Sequence, residues 1–352
     1  MAAVHPIVVT AADTTVNEIS FSDANGWNQA QYYETIRYPD VNGDSRPDVC
    51  GRHKAGVYCA ISDGRDVPTH GSLWLPEFTD HTGWSAPEYY RTIQFPDVTG
   101  DGKADLCARG TQGILCASSN GSSFGGVTVW RPEFTDDNGW TAPEYYRTIQ
   151  FPDVNGDGKA DLCARGSQGI LCALSNGASF GWVAVWRPEF TDRNGWAAPE
   201  YYSTIQFADM NGDGKADLCA RGSQGILCAL SNGGWFGRIG VWNASFNDTS
   251  GSTAPQHYST IRIVGGMLCG RYTYGIRCAS PNTIDGSWLA VPRDELSLAT
   301  VSELDARRAH HEGLEPHHSG HRGHRAKRRG VCAGRDRPRD YSAVQRPRGI
   351  RD

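Results

Sequence analysis

Three carboxylates and an amide within nine residues are the strongest chemical signal in this chain. Asp153-Val-Asn-Gly-Asp-Gly-Lys-Ala-Asp161 puts oxygen-bearing side chains at positions 1, 3, 5 and 9, and its glycines at 4 and 6 allow a tight wrap. Such a loop can turn its oxygens onto one hard cation, with the carbonyl of position 7 completing the shell. Three carboxylates favour Ca²⁺ over Mg²⁺, which keeps more of its water. An EF-hand would require Glu at position 12, where Ala164 stands. The pattern recurs in register, so the candidate ligands form four sets. They are Asp40, Asn42, Asp44, Arg46 and Asp48; Asp97, Thr99, Asp101, Lys103 and Asp105; Asp153, Asn155, Asp157, Lys159 and Asp161; and Asp209, Asn211, Asp213, Lys215 and Asp217. The basic residue in each set would contribute only its carbonyl. Four copies predict about four structural Ca²⁺ ions, whereas a single copy would read equally well as an Asp/Gly surface turn. A fifth equivalent, Ile263-Val-Gly-Gly-Met267, has lost the acids, and no metal is expected there.

No catalytic constellation is expected. Gly121-Ser-Ser-Phe-Gly125 and Gly177-Ala-Ser-Phe-Gly181 fit the G-x-S-x-G nucleophile pattern. A nucleophile duplicated without a repeated His partner reads as a structural turn. The histidines at 5, 53, 70, 81 and 257 occupy different repeat positions.

The elements that must hold these loops are repeats. Phe21, Phe78, Phe134, Phe190 and Phe246 open five units at steps of 57, 56, 56 and 56 residues, most of them followed by an Asp and a Gly-Trp pair. In the third unit Tyr145 to Phe151, Ala160 to Arg165, Ile170 to Ser175 and Trp182 to Trp186 read as strands separated by Gly and Asn-Gly turns. No segment shows a helical period. Four short strands every 56 residues is the signature of a propeller blade, so the fold expected is an all-β propeller of five recognisable repeats, or part of a six- or seven-bladed ring. Residues 8 to 20 align with the last strand of a preceding unit, which makes 1–20 an N-terminal strand segment.

Ten of the eleven cysteines form pairs nine residues apart. Cys50 pairs with Cys59, Cys107 with Cys116, Cys163 with Cys172, Cys219 with Cys228, and Cys269 with Cys278. With Ser167-Gln168 as a two-residue loop, Cys163 faces Cys172 in a non-hydrogen-bonded pair, where side chains come closest. Five cross-strand disulfides are expected. Buried thiols are the alternative, while zinc lacks His partners and a close Cys spacing. Disulfides imply an oxidising, exported setting, although no signal peptide is visible.

Composition marks a boundary after Val291. The net charge of −5 combines unlike pieces: residues 293–352 hold 14 Lys and Arg against 9 Asp and Glu, leaving 20 against 30 in the body. Residues 292–352 read as a basic, disordered tail, out of frame with the repeats. Nucleic-acid binding is not expected, since the tail lacks interleaved aromatics. No run approaches eighteen apolar residues, so no membrane-spanning helix is expected.

Phe124-Gly125, Phe180-Gly181 and Phe236-Gly237, together with Asp-x-Asn-Gly-Asp-Gly-x-x-Asp, resemble FG-GAP or VCBS repeats. These build integrin-α-like propeller blades with calcium at the loop, and similar repeats form secreted fungal propeller lectins of the Psathyrella type. The resemblance covers about residues 8 to 291. It implies the blade fold and the metal, and leaves the ligand open, because one fold carries many functions.

The functional expectation is therefore a secreted, calcium-binding, non-catalytic module that binds glycans or an extracellular protein surface. The alternative is an accessory region of a larger secreted hydrolase. Repeated units suit multivalent recognition. Trp27, Trp84, Trp140 and Trp196, each following a Gly turn, are candidates for a ligand-facing surface, with packing as their competing role. Trp130, Trp186 and Trp242 sit in alternating strands and are expected between blades.

Overall fold

The computed structural model describes residues 18–65, 69–264 and 267–279. The chain divides at Val291/Pro292. The whole second part and residues 1–17 lie outside the described residues, and with them the expectations of a disordered tail and of a strand before residue 18.

The described part is mostly β, with five antiparallel sheets of three or four strands, one per repeat. The third unit shows how the sequence produces one. Leu162–Gly166 and Gly169–Ala173 form a hairpin around Ser167-Gln168, and Ala184–Arg187 pairs on its outer side. Arg165 faces Ile170 and Cys163 faces Cys172, as the two-residue loop requires. The second, fourth and fifth hairpins repeat this register, as does Val49–His53 with Gly56–Ala60 in the first unit. All five expected disulfides are formed. Cys50 is bonded to Cys59, Cys107 to Cys116, Cys163 to Cys172, Cys219 to Cys228, and Cys269 to Cys278, with Cα–Cα distances of 4.0–4.2 Å.

Two segments depart from the sequence reading. Tyr145 to Phe151 is not a continuous strand: Pro143–Tyr146 is one helical turn, and beyond it Gln150 contributes a single bridge to Cys163. Proline's fixed φ and missing N–H suit the first helical position, and Glu144 sits at the positive end of the turn. Similar turns occupy Ala30–Tyr33, Pro87–Tyr90, Pro199–Tyr202 and Pro255–Tyr258. The outer strand begins at Ala184, which leaves Trp182 outside it. Glu18–Ser20, at the end of the N-terminal segment, is a strand that pairs with residues 70–72 on the edge of the first unit's sheet, where unpaired backbone groups invite another strand.

The core lies between successive sheets. Trp130 of the second unit packs on Phe180 of the third at a centroid distance of 5.3 Å, and both share a cluster with Ile114, Leu162 and Ile149. Trp130, Trp186 and Trp242 are buried in this way. At the acidic loops the units are also joined by main chain. Ala104 N–H donates to Asp40 O at 2.7 Å, Ala160 to Asp97 O at 2.8 Å, and Ala216 to Asp153 O at 2.7 Å. Ser119 Oγ donates to Val41 O, and Ser175 and Ser231 repeat that bond one unit on.

Candidate functional site

The four acidic loops fold around their first aspartate. Asp153 Oδ1 accepts Gly156 N–H at 2.7 Å and Oδ2 accepts Gly158 N–H at 2.9 Å. Asp40, Asp97 and Asp209 do the same in their loops. Position 5 caps the next residue but one: Asp157 Oδ1 accepts Lys159 N–H, and its other oxygen pairs with Lys159 Nζ at 3.2 Å. Position 9 turns inward. Asp161 is fully buried, with Oδ1 accepting Ser175 N–H and Oδ2 accepting Val154 N–H. Asp48, Asp105 and Asp217 are held alike. Burial pushes the carboxyls of Asp105 and Asp217 up to about 6 and that of Asp161 to about 7, against the lowering effect of these bonds.

The sequence-predicted ligands therefore share one turn, and their hard oxygens suit Ca²⁺ in type. As the side chains lie, no three His, Cys, Asp or Glu among the described residues stand close enough to hold a metal ion. The backbone needs left-handed conformations here: Gly158 has φ +82°, and Ser45, at the equivalent place in the first loop, has φ +65°.

On another part of each of the first four units a buried arginine staples neighbours together. Arg109 is fully buried; its Nε donates to Phe134 O at 2.9 Å and its Nη2 is ion-paired with Asp136. Asp136 also accepts the Tyr89 hydroxyl at 2.6 Å, and the guanidinium lies 5.3 Å from the Tyr89 ring centroid. Three further sets repeat the ion pair and the tyrosine bond: Arg52 with Asp80 and Tyr32, Arg165 with Asp192 and Tyr145, and Arg221 with Asp248 and Tyr201. Burial first, and then the bond to aspartate, push all four tyrosine hydroxyls up to about 12.

Beside this staple in the second unit lies a cleft of about 200 Å³, lined by Trp84, Tyr89, Gly110, Thr111, Gln112 and Val129 among others. It combines hydroxyl and amide groups with apolar and aromatic walls. The hairpin turn supplies the polar groups, and the helical turn supplies the tyrosine.

The loop tryptophans do not form the open surface considered for them. Trp27, Trp84, Trp140 and Trp196 are only 3–7% exposed. Gly139, at φ +83°, reverses the chain so that Trp140 folds back on Phe134 at a centroid distance of 4.3 Å. The equivalent pairs are Phe78–Trp84, Phe190–Trp196 and Phe21–Trp27. Among the described residues the exposed tryptophans are instead Trp182, at 88%, and Trp235, at 61%. Arg131 of the preceding unit lies 5.5 Å from the Trp182 ring centroid. Both tryptophans break the repeat, since Gly126 and Arg238 stand where Trp182 does, and Ser179 where Trp235 does; that irregularity was the signal available in the sequence.

An FG-GAP-like repeat model matches residues 153–220. No curated protein sequence matches the chain. Among solved structures the chain is similar to an Agrocybe aegerita lectin described as specifically recognising non-reducing terminal N-acetylglucosamine. Identity is 26% and the TM-score 0.58, over 67% of this chain and 60% of the lectin, so the chain spans less than two thirds of that protein. The Photorhabdus luminescens Tc holotoxin pore matches at 16% identity and a TM-score of 0.45, over 68% of this chain and 11% of that one. The V. cholerae biofilm matrix protein Bap1 matches at 16% and 0.26, over 57% and 29%. The chain thus carries an FG-GAP-like repeat at residues 153–220 in a β-propeller fold similar to that of a fungal lectin.

Proposed function

We propose that this protein is an extracellular, non-catalytic glycan-binding propeller. The observation that carries this reading is the 26% identity to a lectin across 67% of the chain. The second unit's cleft supports it: a pyranose offers hydroxyls to Thr and Gln side chains and C–H faces to aromatic walls, and this cleft presents both. Five disulfides are consistent with an oxidising compartment. Calorimetric titration of the full chain with N-acetylglucosamine, together with a glycan array, tests the reading. Saturable uptake supports it, and an array without any hit removes it.

We further propose that the four acidic loops take up Ca²⁺ as a structural ion. Positions 1, 3, 5 and 9 supply hard oxygens on one turn, and the position-9 carboxylates are buried with backbone N–H groups as partners. When bound, the cation supplies positive charge to a turn that gathers three acids. Calorimetry with CaCl₂ is expected to give a stoichiometry near four.

A further inference from the structure

Resting on the glycan reading, we infer that the second, third and fourth units carry the open clefts, and that His53 is a built-in plug closing the first. Gly110, Gly166 and Gly222 end the first hairpin strand in those three units, each opposite a glycine of the second strand. His53 holds this position in the first unit, opposite Gly56. In the other three units a leucine of the second strand, Leu115, Leu171 or Leu227, lies against the glycine, whereas in the first unit Tyr58 holds the leucine's position and the His53 ring packs beside it. The imidazole stacks on Trp27 at a centroid distance of 5.3 Å and lies 4.5 Å from Tyr32 and 6.1 Å from Tyr58. His53 Nε2 is bonded to Asn25 O at 2.8 Å, and Asn25 is the counterpart of the cleft-lining Thr82. The ring is only 4% exposed, and burial lowers its basicity, which suits a neutral imidazole in an aromatic box.

The tyrosines record the difference. Tyr32 is buried at 4% exposure, whereas its counterparts Tyr89, Tyr145 and Tyr201 are only half-buried. Trp27 Nε1 is buried without a hydrogen-bond partner, a cost that accompanies a closed cleft. The fifth unit departs in another way. Ser252 replaces the tryptophan wall, His257 replaces the tyrosine, and Tyr272 replaces the glycine. Ser252 and His257 are both buried. The aromatic pair that walls the second unit's cleft, Trp84 with Tyr89, recurs as Trp140 with Tyr145 and Trp196 with Tyr201, at ring-centroid distances of 5.7–5.9 Å.

Hydroxyl-radical footprinting of the full chain, read by mass spectrometry, tests the plug without any saccharide. Tyr89, Tyr145 and Tyr201 are expected to be labelled and Tyr32 protected. His53→Gly is expected to raise Tyr32 labelling to the level of Tyr89, and His53→Ala serves if the glycine variant folds poorly. Equal labelling of Tyr32 in the unaltered protein overturns the inference. Calorimetry with N-acetylglucosamine adds the count: three equivalents in the unaltered protein, four in His53→Gly and two in Gly166→His. Four or five equivalents in the unaltered protein overturn the inference. Protection of Tyr32 alone, with no saccharide uptake, upholds the plug and removes the glycan reading.

Discussion

Asp136 and Asp161 belong to the same repeat and meet opposite surroundings. Asp136 faces a cation, the fully buried guanidinium of Arg109, and accepts a tyrosine hydroxyl besides. Asp161 is buried deeper and receives only backbone N–H groups, and its carboxyl is pushed up to about 7. The first joins units through a completed charge pair. The second shapes a turn and leaves negative charge uncompensated. An aspartate's role in this fold is set by what is turned towards it, since both residues sit in Asp-rich, Gly-punctuated sequence.

The comparison breaks most visibly at the staple. Asp136→Ala strands a buried guanidinium and is expected to cost about 3–5 kcal/mol, read by chemical denaturation. A loss below about 1 kcal/mol, the range of exposed pairs, would place Arg109 among groups that water reaches. Calcium comes next. At a hundredfold excess over its Kd each occupied loop is expected to add about 2.7 kcal/mol, and chelation to remove it. An unchanged melting temperature at millimolar CaCl₂ would reduce the acidic loops to ordinary turns.

Backbone geometry sharpens the contrast further. Gly158→Val forces a β-branched residue into φ +82°, at about 1–2 kcal/mol, and is expected to lower calcium stoichiometry by one. Tyr89→Phe is the smaller change, about 1 kcal/mol for the lost bond to Asp136. Its signature is the pH profile. A tyrosine with a folded-state value of about 12 holds its proton more tightly than the unfolded chain does, which releases it at about 10. The contribution is complete below about pH 10 and disappears as pH rises towards about 12. The variant should therefore show a shallower alkaline loss of stability than the parent across that window.

Much of this was legible in the sequence, for physical reasons that differ by element. The hairpin register follows from a two-residue loop and a side-chain period of two, so Cys163 had to face Cys172, and by the same count Cys50 faces Cys59, Cys107 faces Cys116, Cys219 faces Cys228 and Cys269 faces Cys278. The propeller fold followed from repeat length and strand count. The helical turn at Pro143–Tyr146 was hidden because four residues are too few to show a helical period, and bulky alternation there imitates a strand. The inward fold of Trp140 depends on a left-handed glycine closing onto Phe134, a contact that spacing alone does not reveal. The role of His53 needed three dimensions, since only its stacking on Trp27 and Tyr32 separates a plug from an exposed turn residue.

The main-chain bonds from Ala104, Ala160 and Ala216 to the loop before each of them join the first four units in series. Opening one unit removes a bond from each neighbour, so disorder should spread along the series rather than appear at random sites. The fifth unit has lost its acidic loop and with it the sequence that would continue this link. Unravelling should therefore start at that end. Amide exchange is expected to be fastest in the hairpin of Met267–Tyr272 and Gly275–Ala279 and slowest in the second and third units, where couplings reach both ways.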